Sequence, residues 1–471
     1  MSTSSNPKDP AHSTRGHSSH SPARDRQVRD RPHPREKLAA RALVVWAAAV
    51  LVYIVAITGR TSLGVAGVQA LDRFDIDASR LAVFTAVQVG VYALAQIPVG
   101  IIIDRVGARK TMVAGALLMA VGQAVLALST AYPVAIGARI LIGAGDATAF
   151  LAVMRLLPAW FPLKSTPVFT QLTAGLGQLG QFISAAPFLA LLHAEGWVPA
   201  FLSIASGGAI IALAAAVAVR DRPDDSLYRE SSVNIRPVTT QPPATPPQRA
   251  SIRSMLGVVL RDPSCWQGFF THWTGLLNQN VFLLLWGMPL MTLGMGLEPS
   301  QASAGLVINT VAVICSGPIV GMISSRLGSS RWKFHTFMTT SVAMAWVWFF
   351  LSPTPHTFIV IIVMNAFLGL AASTSNYGFD TVRENVDRSV LATGTGLSNM
   401  GGFVAAMVAS QSIGVILDIS SDGSAYQWAD FRLAWVAVLV VWLIGMIGLF
   451  SAQIALRRRA AAAPSHKFEL A

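Results

Sequence analysis

The sequence predicts an all-α integral membrane protein with twelve transmembrane helices in two pseudo-symmetric six-helix bundles. Composition, apolar run length and an internal repeat carry that expectation. Of the 471 residues 53% are hydrophobic and only 12% charged, about half the charged share of a soluble domain. This balance excludes an ordinary soluble enzyme and a disordered regulator. The two cysteines, Cys265 and Cys315, exclude a disulfide framework and a cysteine-rich zinc site.

A helix needs roughly 20 apolar residues to cross the hydrocarbon layer. Runs of that kind lie near 43–68, 80–103, 110–129, 133–157, 166–192 and 198–219. A second set follows near 266–294, 302–325, 335–352, 356–378, 390–417 and 431–456. They must be helices, because only a helix or a closed barrel satisfies the backbone inside lipid, and the short alternating segments of a barrel are absent. The expected organisation is a disordered tail at 1–38, a first bundle at 39–220, a polar Pro-rich linker at 221–263, a second bundle at 264–456 and a tail at 457–471. The first tail has no apolar stretch of the kind a secretory signal requires. Its irregularly spaced His12, His17, His20 and His33 give no metal-ligand pattern. Within the linker, "SIRSMLGVVL" reads as a short helix lying along a membrane surface.

The formal charge of +12 is explained by topology rather than by nucleic acid. With the N-terminus on the cytoplasmic side, only Arg73, Arg80 and Arg432 of the 35 Lys and Arg fall outside, and only Arg60 and Arg139 fall within spans. The remainder sit in cytoplasmic segments, as the positive-inside bias requires. Both termini are therefore expected in the cytoplasm of a multi-pass protein of the cell (inner or plasma) membrane.

One offset of 221 residues relates three separate places. "GIIIDRVGARK" at Gly100 repeats as "GMISSRLGSSR" at Gly321, pairing Arg105, Gly107 and Lys110 with Arg326, Gly328 and Arg331. "GLGQLGQFISAA" at Gly175 repeats as "GLSNMGGFVAA" at Gly396, which sets Gln178 opposite Asn399. The same shift pairs Gln88 with Asn309. Two related halves in parallel orientation can rock about a site near the membrane midplane. The clustered glycines at 175, 177 and 180, and at 394, 396, 401 and 402, suit gate-forming helices or plain close packing.

These residues resemble the major facilitator superfamily. "GIIIDRVGARK" fits that family's loop signature of a glycine, an acid–base pair, a second glycine and two terminal cations, and the resemblance extends over about residues 40–457. It implies a cytoplasmic gate built from Gly100, Asp104, Arg105, Gly107, Arg109 and Lys110, with Arg155 as partner of Asp104. Ser325 replaces the acid in the second copy, so that latch is expected to be weaker, with Asp380 and Glu384 as nearby substitutes. Within the superfamily, "AITGRTSLGVAGVQALDRFDI" and "RILIGAGDA" look like the anion:cation symporter branch, which includes transporters of sugar acids and organic anions. That likeness makes Arg60 and Arg139 anion-binding and Asp146 the proton-handling carboxylate. Gly59 stands where an acid usually precedes the arginine, and "KST" where an acid–arginine pair often follows the fourth span.

The residues point the same way without the family. Of 23 acids, Asp146 is the one placed deep within a span, and Arg60 and Arg139 are the comparable cations. An ionised side chain at the bilayer centre costs at least about 2.5–3.5 kcal/mol on insertion scales, so such residues default to function or pairing. Arg60 offers a planar fork suited to a carboxylate. Arg139 either binds substrate or braces helices through backbone carbonyls. Arg139 and Asp146 lie two helical turns apart, about 10.5 Å of rise, which calls for a shared aqueous cavity rather than a direct bond. Gln178, Asn280 and Asn399 are candidate substrate-contacting amides, with Asn278 and Gln279 beside them. His272 is a weaker candidate proton carrier.

The expected function is alternating-access uptake of a small organic anion, a carboxylate or sugar acid, coupled to protons. Protonating Asp146 raises the formal charge of the three groups from +1 to +2 and strengthens an anion site. The expected partners are that anion, protons and the bilayer; a monomer is expected, with no nucleic acid, cofactor or metal and no enzymatic activity. Competing readings are a nitrate/nitrite porter, which places an arginine about where Gln96 stands, a drug exporter, whose Gly-Pro motif the fifth span lacks, and a membrane sensor.

Overall fold

The computed structural model describes residues 40–76, 78–223, 251–422 and 424–462. All of the expected tail at 1–38, most of the linker and the end of the last tail lie outside the described residues, as do the four tail histidines. The first bundle comprises α1 (Ala40–Val65), α2 (Ala78–Val106), α3 (Ala108–Leu128), α4 (Tyr132–Trp160), α5 (Thr166–Ile183, continued by a π turn at Ser184–Phe188 and a last turn at Leu189–Glu195) and α6 (Trp197–Ala218). The second comprises α7 (Pro263–Val281, continued by π turns at Phe282–Trp286 and Leu290–Gly294), α8 (Pro299–Leu327), α9 (Arg331–Leu351), α10 (Phe358–Ala372, then Ser373–Asn376 and Tyr377–Asn385), α11 (Leu391–Ser421) and α12 (Val436–Ala462).

Among the described residues, ten helical stretches are long and apolar enough to span a membrane. One of these, Pro299–Leu351, holds both α8 and α9, joined by a 3₁₀ turn at Gly328–Ser330. The polar side chains of α7 keep it out of that set, although it is as long as its neighbours. With α8 and α9 counted apart and α7 added, the described helices fit the expected twelve.

Local chemistry sets the helix ends. Prolines open α4, α5, α7 and α8, where the missing N–H costs nothing and φ is already helical. Asp262 caps α7 by accepting from the Ser264 N–H at 2.8 Å and also meets Arg459 at 2.9 Å. Arg73 donates to the carbonyls of Ser129 and Ala127 at the end of α3, both at 2.9 Å. Arg432 does the same for Phe350 at the end of α9. Cations therefore cover the exposed carbonyls of two helix C-termini. Asp387 caps the turn before α11 through the Ser389 N–H at 2.7 Å, and that bonding holds its carboxyl below the usual carboxylate range. The linker segment forms the expected short helix, Ile252–Arg261, capped by Ser251, with Met255 and Val259 buried.

Two cores correspond to the two halves. Residues from Ala42 to Val219 pack together with Phe379 and Ala392, and residues from Met255 to Val441 with Ile101. The exceptions mark where the halves meet: α2 lies along α11, and α5 along α8 and α10. The glycines divide by role. A Cβ at Gly180 would strike the Ile54 carbonyl and one at Gly401 the Phe269 carbonyl, so these two glycines seat α5 on α1 and α11 on α7 inside each half. Gly396 instead faces the Gln96 carbonyl across the seam, and Gly100 faces Ala392 and Thr393. Only part of the glycine set therefore serves the interface between halves.

Candidate functional site

The centre of the first bundle holds a buried ion pair. The Arg60 Nε and Nη2 donate to Oδ2 and Oδ1 of Asp146 at 2.6 and 2.9 Å, a two-pronged contact between α1 and α4. The Asp146 side chain is 0% exposed and that of Arg60 23% exposed. The fork geometry lets one guanidinium saturate both carboxylate oxygens. The same guanidinium lies 4.4 Å from the Tyr92 ring centre on α2, where the π face adds attraction for the cation.

Arg139 bonds a backbone carbonyl, the bracing alternative of its two readings. It is buried, and its Nη2 donates to the Arg60 carbonyl at 3.3 Å; its Nε and Nη1 have no hydrogen-bond partner. Arg60 bonds Asp146 directly, and Arg139 holds the backbone that carries Arg60. The reason is helix packing: Asp146 faces α1 at the level of residue 60, so the cation that reaches it comes from the neighbouring helix rather than from two turns away on its own.

The pair connects to the second bundle. Asn399 on α11 donates to the Tyr92 hydroxyl at 3.0 Å and to Gln96 Oε1 at 2.8 Å, while Phe403 packs edge-on against Tyr92 with ring centres 4.8 Å apart. A continuous chain thus runs Asp146–Arg60–Tyr92–Asn399, crossing from one half to the other. Of the other candidate amides, Gln178 accepts from Gln181 on its own helix at 2.8 Å, and Asn280 has a buried Nδ2 without a partner. No hydrogen bond joins either to Arg60 or Asp146 among the described residues. Gln279 donates to Asn309 at 2.6 Å, and His272 meets the Ser375 carbonyl at 3.3 Å and packs on Phe379.

The loop signature also divides. Asp104 accepts from the backbone N–H groups of Ala392 and Thr393 at 3.0 and 2.8 Å and from the Thr393 hydroxyl at 2.8 Å. Its carboxylate thereby caps the first turn of α11 from the opposite half, where free N–H groups favour an anion. Arg155 stands 3.5 Å away, as expected. Gly100 brings α2 close enough for this contact. Arg109 does not reach the seam: it donates to the Ala216 carbonyl and its N–H meets Asp221 at 2.9 Å, because Gly107, at φ 103°, turns α3 back toward α6. Gly107 and Arg109 therefore organise the first bundle internally. Arg105 and Lys110 are exposed beside them. In the second copy Arg331 forms a two-pronged pair with Glu384 at 2.8 and 2.9 Å, and Asp380 accepts from Arg383 at 2.6 Å and from Ser324. The acid missing at Ser325 is thus supplied by α10, within the second bundle.

Tyr92 and Gln171 were not singled out by sequence. A signal for the first exists: Gln88, Tyr92, Gln96, Gly100 and Asp104 recur every fourth residue, one stripe down α2.

The fold and this buried charge arrangement define a polytopic helical membrane protein with two pseudo-symmetric halves meeting around a polar centre. The sequence pattern of the Major Facilitator Superfamily matches residues 49–410, and the chain belongs to that superfamily; it is a membrane transporter and not an enzyme. A probable sulfoacetate transporter of Cupriavidus necator, SauU, is 24% identical over 174 residues, 37% of this chain and 40% of that protein. The chain thus matches less than half the length of that curated relative. The crystal structure of the E. coli fucose:proton symporter FucP superposes with a TM-score of 0.63 at 13% identity, covering 86% of this chain and 99% of that one; this likeness concerns the fold.

Proposed function

We propose that this transporter takes up a small organic anion together with protons by alternating access, with Arg60 as the anion-binding cation and Asp146 as the proton acceptor. The observation that carries the reading is the two-pronged Arg60–Asp146 bond lying on Tyr92. In the described arrangement Asp146 occupies both donors that an anionic substrate needs. A proton delivered to the Asp146 carboxylate removes the charge that holds Arg60, and the guanidinium N–H groups turn to the carboxylate or sulfonate of the substrate. Substrate charge then replaces Asp146 charge, so the loaded centre is no more charged than the empty one. Loss of the proton on the other side restores the internal pair and expels the anion. Arg139 keeps the α1 backbone in register throughout.

The Tyr92–Asn399 contact supports a route by which occupancy at Arg60 reaches the second half. Gln96, standing where a nitrate porter would place a second cation, is engaged with Asn399, which favours an organic anion over a bare inorganic one. The partial likeness to a probable sulfoacetate transporter makes a two-carbon sulfonate–carboxylate the first compound to test. The excess of basic residues in the segments assigned to the cytoplasm supports a cell-membrane protein with both termini and the Asp104 contact on the cytoplasmic side, and a monomer is sufficient for the cycle. The two bundles of this reading are residues 39–220 and 264–456.

The test uses proteoliposomes with labelled sulfoacetate and related carboxylates. Asp146→Asn is expected to abolish accumulation driven by a pH gradient while leaving counterflow exchange. Full gradient-driven accumulation by this variant would remove Asp146 from coupling.

A further inference from the structure

The helix α10 is broken where four consecutive polar residues, Ser373 to Asn376, form a 3₁₀ turn. A 3₁₀ stretch inside a long helix often marks a hinge. All four residues are buried, and each reaches a different neighbour. The Ser373 hydroxyl meets that of Ser316 on α8 at 2.9 Å. Thr374 meets His335 on α9 at 2.9 Å, whose other ring nitrogen meets Thr274 on α7 at 2.8 Å. The Ser375 carbonyl meets His272 on α7. Asn376 donates to Gln171 Oε1 on α5, in the other half, at 2.8 Å, and Gln171 returns a bond from its Nε2 to the Ser373 carbonyl at 2.7 Å. One side chain of the first half therefore holds both ends of the turn.

The repeat explains why this contact matters. Gln171 occupies the place in the first half that Ala392 occupies in the second, at the same offset of 221. Ala392 is where Asp104 closes the seam between α2 and α11. On the related seam the acid is absent, since Ser325 stands at that position, and the helices are held instead by Gln171 bonding to α10. We infer that Gln171 is the second latch between the halves, a neutral counterpart of the Asp104 latch, and that it acts on the broken turn of α10. Because that turn also engages α7, α8 and α9, releasing Gln171 frees a joint shared by four helices of the second half. The Phe150–Phe379 contact, with ring centres 5.3 Å apart, lies next to the latch and adds apolar contact across the same seam.

This inference rests on the alternating-access reading, and the experiment separates the two. Spin labels at Lys110→Cys and Lys333→Cys, both exposed and at the same end of the two halves, report their separation in reconstituted protein by pulsed dipolar spectroscopy. Cys315→Ser removes the exposed native thiol, Cys265 being buried. Gln171→Ala is expected to raise the ratio of long- to short-distance populations roughly 5- to 30-fold, the span set by losing one or two modest hydrogen bonds. Gln171→Glu, which keeps the acceptor but sets a second oxygen against the Ser373 carbonyl, is expected to shift the ratio at least as far as Gln171→Ala. Asn376→Ala removes one of the two bonds and carries the test if Gln171→Ala does not fold. Unchanged distances in both Gln171→Ala and Asn376→Ala, while Asp104→Asn lengthens them, overturn the latch and leave alternation standing. A single distance, the same in the intact protein and in all three variants, overturns both.

Discussion

Deleting either member of the Arg60–Asp146 pair leaves the other charge in a layer with little water. With Asp146 0% and Arg60 23% exposed, the pair behaves as buried, and removing one partner of such a pair costs about 3–5 kcal/mol. The two deletions are not equivalent. Asp146→Ala leaves Arg60 and Arg139 as two uncompensated cations joined through the Arg60 carbonyl at 3.3 Å, and belongs at the upper end. Arg60→Ala leaves Asp146 with Arg139 on the same helix as a distant counter-charge, and belongs at the lower end. The double variant has one buried cation, the same net charge as the intact centre, and loses mainly packing. It is expected to be more stable than either single variant, with a coupling energy of at least about 2 kcal/mol, within the range seen for residues sharing a network. Reversible unfolding in mixed detergent–SDS micelles, followed by circular dichroism for the four proteins, gives the cycle. Additive losses, with the double variant the least stable of the four, would refute the view that each charge is tolerated only because of the other.

Two further outcomes concern the seam. Gly396→Ala sets a methyl group against the Gln96 carbonyl; overpacking of this kind costs about 1–3 kcal/mol, so the Lys110→Cys/Lys333→Cys separation should lengthen while helix content by circular dichroism stays constant. Asp104→Asn removes the charge that caps α11 and turns an amide donor toward the Ala392 and Thr393 N–H groups. An anion at a helix N-terminus is worth about 0.3–1 kcal/mol, so the same separation should shift up to about fivefold toward the open population, and an unshifted distribution would argue against the carboxylate as a latch.

The sequence by itself determined the apolar spans, their ends to within a few residues except at α10 and α12, and the duplication. Those properties depend on local quantities: apolar run length, proline and acid caps, and spacing along one chain. It also marked which three charges are exceptional, because the cost of an ion in a membrane is set first by residue type and depth. Partnership was a different matter. From spacing, Arg139 and Asp146 were natural companions, yet Asp146 bonds Arg60 and Arg139 supports a carbonyl. Arg109 shares a motif with Asp104, yet Asp104 bonds the other half while Arg109 bonds within its own. Gln171 looked like any polar residue near a helix start until the fold brought Ser373 and Asn376 to it from more than two hundred residues away. Which face of a helix meets which neighbour, and at what height, follows from how twelve cylinders pack around two cores. A one-dimensional pattern gives the face but not the partner, and only the tertiary structure supplies the second.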